Sequence, residues 1–342
     1  MIKSGGPERV TVGIRCDAGA RRGVGHLVRC VALAEELVER GVSVKFLSDL
    51  GGVDWAGQQL SQRGLPWHPP PYDPVALVAA AERLELDALV IDSYTLPPQH
   101  SEAVRKTGRP VLAIVDGDFR GQSADIYVDQ NLDATITADD AIGLAGLDYA
   151  LLRNSVRQLR PLDAPVHPTS RTPKVVAFFG GTDAYRAAPQ IAALLARTGV
   201  AFEATIVAAD DSLRRDLLAV APGPGQRFEI ISPTDDLPKL LAGADLAVSA
   251  SGTSTWELLC LGLASALVWV VDNQIIGYER TIAHGYAAGL GQLGHFTESS
   301  VDVLRELLTL PGLRAALAAR AWSAVDGRGV RRVADVLLAS LR

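Results

Sequence analysis

The residues best suited to chemistry stand near the start of the chain. Asp17 and then Gly23-Val24-Gly25-His26 follow a short apolar run at 10–14 and precede a segment with helical apolar spacing. A strand that ends in a glycine-rich turn and opens a helix aims unpaired backbone N–H groups at any anion nearby. A histidine at such a helix start is a candidate general base, because imidazole changes charge near neutral pH. Gly23 and Gly25 permit a tight turn and close approach of backbone to ligand. The third glycine of a dinucleotide fingerprint is missing. Taken alone, these residues suit a plain turn with a histidine cap equally well.

Three later clusters repeat the theme. Gly180-Gly181-Thr182-Asp183 follows an apolar run, and its polar pair suits either a ligand or the cap of the next helix. Ser251-Gly252-Thr253-Ser254-Thr255-Trp256-Glu257 lies between a strand-like run and a helix-like run. It carries more hydroxyls than an N-cap requires, which suits phosphate oxygens. Glu257, in the first helical turn, suits ribose hydroxyls or the helix dipole. Asn273-Gln274 offers amides that read sugar hydroxyls, or forms a turn. Asp92-Ser93-Tyr94, Asp116-Gly117-Asp118 and Asp129-Gln130-Asn131 each close an apolar run. Three polar strand ends in succession favour a polar site.

These residues need a scaffold of alternating strands and helices. Strands are predicted at 10–14, 42–47, 88–91, 111–115 and 126–128, with helices at 27–40, 75–84 and 99–106. A proline-rich stretch at 158–173 reads as a linker. A second series follows, with strands at 175–179, 202–207, 228–231, 246–249 and 264–268. Its helices are predicted at 187–197, 212–220, 237–241, 254–261, 301–308 and 313–325. The expected fold is α/β: a doubly wound domain over 1–157, a second over 174–330, and a helix at 331–342 packing back on the first. Ligands of such sheets lie beyond the strand C-termini.

The 342 residues, 48% hydrophobic and 21% charged, fit a globular chain of two domains. A net charge of −6 argues against a general nucleic-acid binder. No apolar stretch reaches the roughly 18–20 residues of a membrane span. Without a signal-like apolar core before Val10, a cytoplasmic location is expected. Cys16, Cys30 and Cys260 show no metal-type spacing and are expected as free thiols. No His/Asp/Glu cluster has ligand-like spacing, so neither metal nor cofactor is expected.

In this order the clusters resemble one family, the UDP-sugar hydrolases of pseudaminic-acid biosynthesis with their spore-coat polysaccharide relatives. The pieces are Arg15-x-Asp17, Gly23-x-Gly25-His26-x-x-Arg29-Cys30, Asp92-x-Tyr94, Asp129-Gln130-Asn131 and Tyr149-Ala150-Leu151-Leu152-Arg153. They continue with Gly180-Gly181-Thr182-Asp183, Ser251-Gly252-Thr253-Ser254-Thr255-x-Glu257 and Asn273-Gln274. The resemblance implies a glycosyltransferase-B (GT-B) architecture, two Rossmann-like domains facing each other across a cleft, with a UDP-sugar as ligand. It implies a metal-independent hydrolase in which His26 activates water to attack the anomeric carbon with inversion. It further implies that Asp17 orients His26 or the water, that Tyr94 and Asn273 stand by the sugar, and that Arg15, Gly25 and Arg29 help bind substrate. Ser251 to Thr255 would hold the diphosphate, Glu257 the ribose. The chain departs from the family pattern at Arg22, Val24, Ser93 and Gly117, which bears on the sugar. Two other readings stay open: a glycosyltransferase of the same fold, in which His26 or Asp17 deprotonates an acceptor hydroxyl, and a nucleotide-sugar-binding protein without catalysis. The oligomeric state is not fixed by the residues.

Overall fold

A computed structural model describes residues 9–19, 24–52, 54–165 and 171–341. Arg22 and Gly23, and residues 166–170 of the expected linker, lie outside these. The chain divides into two units: Met1–Asn154 with Arg328–Arg342, and Ser155–Gly327. The return to the first unit therefore comes a few residues before the expected 331.

The first unit runs β1 (Thr11–Cys16), α1 (Gly25–Glu39), β2 (Ser43–Leu47), α2 (Asp54–Gln62), β3 (Trp67–His68), α3 (Pro74–Arg83), β4 (Ala88–Asp92), α4 (Gln99–Arg105), β5 (Val111–Ile114), β6 (Ile126–Asp129) and β7 (Ile142–Ala145). A short α5 (Asn154–Arg157) marks the boundary. The strands form one parallel sheet in the order β3-β2-β1-β4-β5-β6-β7. Val12, Ile14 and Cys16 alternate onto one face, where Leu27, Val31 and Ala34 of α1 bury against them. Leu86, Leu89 and Ile91 belong to the core on the other face.

The second unit runs β8 (Lys174–Phe178), α6 (Ala187–Arg197), β9 (Phe202–Val207), α7 (Asp211–Leu218), β10 (Gln226–Ile231), α8 (Leu237–Ala242), β11 (Leu246–Ala250), α9 (Ser254–Leu261), β12 (Ser265–Trp269), α10 (Ile275–Ala283), β13 (Ala288–Gln292), α11 (Glu298–Thr309) and α12 (Pro311–Ala324). Its parallel sheet has the order β10-β9-β8-β11-β12-β13. In both sheets the order reverses at the middle, at β1/β4 and at β8/β11. That switch point is where doubly wound sheets open to ligands at the strand C-termini.

The last helix, α13 (Gly329–Ala339), belongs to the first unit. Val330, Val333, Ala334 and Leu337 are fully buried in the same core as α1. Only glycine fits at 329, because a Cβ there would lie 2.2 Å from the Ala150 carbonyl oxygen.

Candidate functional site

The polar residues of the first unit gather at the C-terminal edge of its sheet. Cys16 and Asp92 are register partners at the ends of β1 and β4, the two strands flanking the switch point. Asp116 follows β5, and Asp129 ends β6. His26 is the second residue of α1, and Arg29 and Cys30 follow at the spacing that shares one helix face. All three converge on Asp92, which is completely buried. The His26 Nδ1 lies 2.5 Å from Asp92 Oδ1. Arg29 donates from Nε to Asp92 Oδ2 at 2.6 Å and from Nη2 to Oδ1 at 2.7 Å. The Cys30 thiol donates to Oδ2 at 3.5 Å.

Arg29 also donates to both oxygens of Asp116, at 2.9 and 3.0 Å. Asp116 further accepts from the Tyr94 hydroxyl and from Asn131 Nδ2. Asp129 accepts from the Gly117 amide at 2.8 Å and from the Asn131 amide and Nδ2. The Tyr94 ring stands edge-on to the His26 ring, with centroids 4.4 Å apart.

These contacts fix the charges. Burial alone would raise the Asp92 carboxyl, but Arg29 and His26 outweigh it and hold it below the usual range. Asp116 is likewise held low, burial being overcome chiefly by Arg29. Burial and the adjacent Asp116 carboxylate push the Tyr94 phenol well up, so it stays a donor. Burial also raises the Cys30 thiol, which stays neutral. An ionised Asp92 can only accept, so His26 donates Nδ1–H to it, and in the neutral imidazole the lone pair then lies on Nε2. That is the arrangement of an oriented base.

Of the two roles expected for Asp17, orienting His26 falls to another residue: the carboxylate bound to His26 is Asp92, whereas Asp17 pairs with Arg15 and accepts the Asp49 amide. Asp17 sits past the end of β1, and the loop after β2 reaches its Oδ1 through the Asp49 amide. Arg29 does not reach outward to a substrate. Its guanidinium is 3% exposed and filled by two protein carboxylates. Asp92 and Asp116 were expected at polar strand ends that favour a site, without a role for either residue. The visible signal for them was the His26-x-x-Arg29-Cys30 spacing, which needs a common partner.

In the second unit, Gly180 and Gly181 follow β8, and Ser251 follows β11, its neighbour at the switch point. Gly180 adopts φ +72°, which glycine accepts without strain. Asp183 caps α6, accepting from the amides of Ala187 at 2.8 Å and Ala188 at 2.9 Å. Of the two readings left open for it, the cap is the one observed. Burial, opposed by those amides, lifts its carboxyl to about 6.

The start of α9 differs. Thr253 stands at its N-cap position and makes no side-chain cap bond. Thr255 is 2% exposed, and its hydroxyl has no hydrogen-bond partner. Buried hydroxyls are ordinarily satisfied, so each exception calls for a cause. Ser251, Thr253 and Ser254 surround the same turn, and Glu257 is buried in it. Gln274 accepts the Val270 amide through Oε1, and its Nε2 lies 3.8 Å from where a Gly252 Cβ would stand. Asn273 is exposed on the 3-10 turn Asp272–Gln274 after β12.

The first unit also carries a groove of about 730 Å³ beside the β2 and β3 ends. Ser48, Asp49, Gln58, Gln62, Trp67 and Pro69 line it. Among the described residues, no cluster of His, Cys, Asp and Glu is placed to hold a metal ion. No described helix is long and apolar enough to cross a membrane. Cys16, Cys30 and Cys260 are free and buried.

No family model matches the chain. The spore coat polysaccharide biosynthesis protein SpsG of Bacillus subtilis (strain 168) is 22% identical over 355 residues, covering 95% of this chain and 97% of that protein. Among solved structures, MurG of Acinetobacter baumannii is similar with a TM-score of 0.73 at 16% identity, over 96% of this chain and 99% of that one. The UDP-GlcNAc 2-epimerase of Neisseria meningitidis, bound to UDP-GlcNAc, is similar with a TM-score of 0.63 at 14% identity, over 96% and 100%. The likeness to MurG shows the fold: two Rossmann-like parallel-sheet domains of the GT-B type.

Proposed function

We propose that this chain is a nucleotide-sugar hydrolase that releases UDP from a UDP-linked sugar. The observation that carries the reading is the His26 imidazole held through Nδ1 by the buried Asp92. In this reading Nε2 removes a proton from water as the water oxygen bonds to the anomeric carbon. The bond from that carbon to the diphosphate oxygen breaks with inversion, and UDP leaves with the electron pair. Asp92 stabilises the imidazolium that forms. Tyr94 and Asn273 stand by the sugar. The second unit holds UDP, its diphosphate against Ser251 to Thr255 and its ribose against Glu257. The uncapped start of α9 and the unpartnered Thr255 hydroxyl support this, since donors left open there stabilise growing negative charge on a leaving diphosphate. The name of the Bacillus relative supports a role in making a sugar for a surface polysaccharide, and the family resemblance narrows it to a deoxy-amino sugar of the nonulosonic-acid type.

The test is incubation with candidate UDP-sugars without acceptor while UDP release is followed. Release that His26→Ala abolishes is the expected result. Release that survives His26→Ala would sink the reading. A second reading, transfer to an acceptor hydroxyl, is favoured by the groove beside Trp67, whose aromatic ring and amides suit a second saccharide. UDP release only on addition of an acceptor would select it.

A further inference from the structure

Among the described residues, Arg29 and Arg120 both reach the groups that touch the His26 imidazole, and of these two only Arg29 is paired with carboxylates. Arg29 takes Asp92 and Asp116. Arg120 takes neither. Its guanidinium lies over the Tyr94 ring, 4.0 Å from the centroid, and its Nη1 donates only to the Asp118 carbonyl at 3.3 Å. No described carboxylate lies within ion-pair reach of it. The acids around it are committed: Asp92 and Asp116 to Arg29, Asp129 to the amides of Gly117 and Asn131.

The loop that carries Arg120 is shaped to hold it. Asp118 Oδ1 accepts the Arg120 amide at 2.8 Å, and Arg120 itself adopts φ +49°, between Gly117 at +75° and Gly121 at +69°. L residues adopt that conformation only when their surroundings impose it. The same Tyr94 ring that bears the guanidinium touches the His26 ring. An arginine stacked on an aromatic ring keeps its N–H edge free for two parallel hydrogen bonds, the geometry that fits carboxylate and phosphate.

We propose that Arg120 is the anion receptor of the catalytic unit and receives a pair of carboxylate or phosphate oxygens from the substrate. The inference rests on the nucleotide-sugar reading for the identity of that substrate. Two sources supply the chemistry, the diphosphate or an acidic group on the sugar, and substrate choice separates them.

The test is calorimetric titration of wild type, Arg120→Gln and Arg120→Lys with UDP, UDP-glucose and UDP-glucuronate. If the diphosphate is the source, Arg120→Gln weakens all three by about tenfold or more. If a sugar carboxylate is the source, only UDP-glucuronate weakens. In either case Arg120→Lys recovers part of the loss, because an ammonium restores charge without the planar fork. Equal affinities of wild type and Arg120→Gln for all three, or a wild type that binds none, would overturn the proposal. His26→Ala, titrated in parallel, separates the two ideas. Normal binding with UDP release that persists would end the hydrolase reading and leave the receptor standing.

Discussion

The two units meet their ends of the sheet in opposite ways. In the first, carboxylates from three successive strands are filled by Arg29, Tyr94, Asn131 and backbone amides, so the imidazole is gripped on one side. In the second, the corresponding edge is built of glycines and small hydroxyls, and the Thr255 hydroxyl has no protein partner. Proton chemistry needs a group whose orientation and charge are settled beforehand. Anion binding needs donors kept unspent until the ligand arrives.

Four substitutions would break or sharpen that contrast. The largest effect is expected at the settled side: His26→Ala lowers kcat for UDP release by roughly a hundredfold to ten-thousandfold with little change in KM. A change confined to KM would move His26 from chemistry to binding. Next, Arg29→Met leaves two carboxylates facing each other in a buried site. A loss of about 3–5 kcal/mol in urea unfolding is expected. A variant as stable as wild type would mean that Arg29 is dispensable to the first unit.

On the unspent side, Thr255→Val removes a hydroxyl without orphaning a protein partner. Stability should hold, while calorimetry shows UDP binding weakened roughly tenfold. Lost stability with unchanged binding would reverse the assignment.

The smallest effect concerns acid. Asp183 is raised to about 6 when folded, against about 4 when unfolded. Its contribution to stability is therefore fully present below pH ~4 and lost as pH rises through about 6. Asp92 and Asp116 are held low, so theirs is present above pH ~4 and lost only as pH falls further. From pH 4 to 7 the urea midpoint of wild type should fall relative to that of Asp183→Asn, which has no carboxyl to titrate. A constant difference would show that Asp183 does not titrate there.

Much of this was legible in the chain. The bounds of α6 and α9 coincide with those predicted from apolar spacing, and the central strands lie within two residues of theirs. The missed strands are edge or near-edge elements. β7 reads Ile-Gly-Leu-Ala, β13 reads Ala-Gly-Leu-Gly-Gln, and β3 has two residues. Such segments have little intrinsic strand preference and are held by the neighbour's backbone, which no local pattern reveals. α2 was missed because its surface is largely polar. At the site, His26, Arg29 and Cys30 on one helix face were visible. Their common partner, Asp92, lies 66 residues from His26 and is joined to it only through the β1–β4 pairing.

The return of the chain at Arg328 has a temporal meaning. Ser155–Gly327 is continuous and contains all its own strands. The first unit is not, since four fully buried residues of its core arrive with α13. During synthesis the second unit can close as soon as it emerges. The imidazole-bearing unit must wait with the α1 face uncovered until α13 has been made. A chain stopped at Gly327 would then carry a finished second unit and an unsealed first unit.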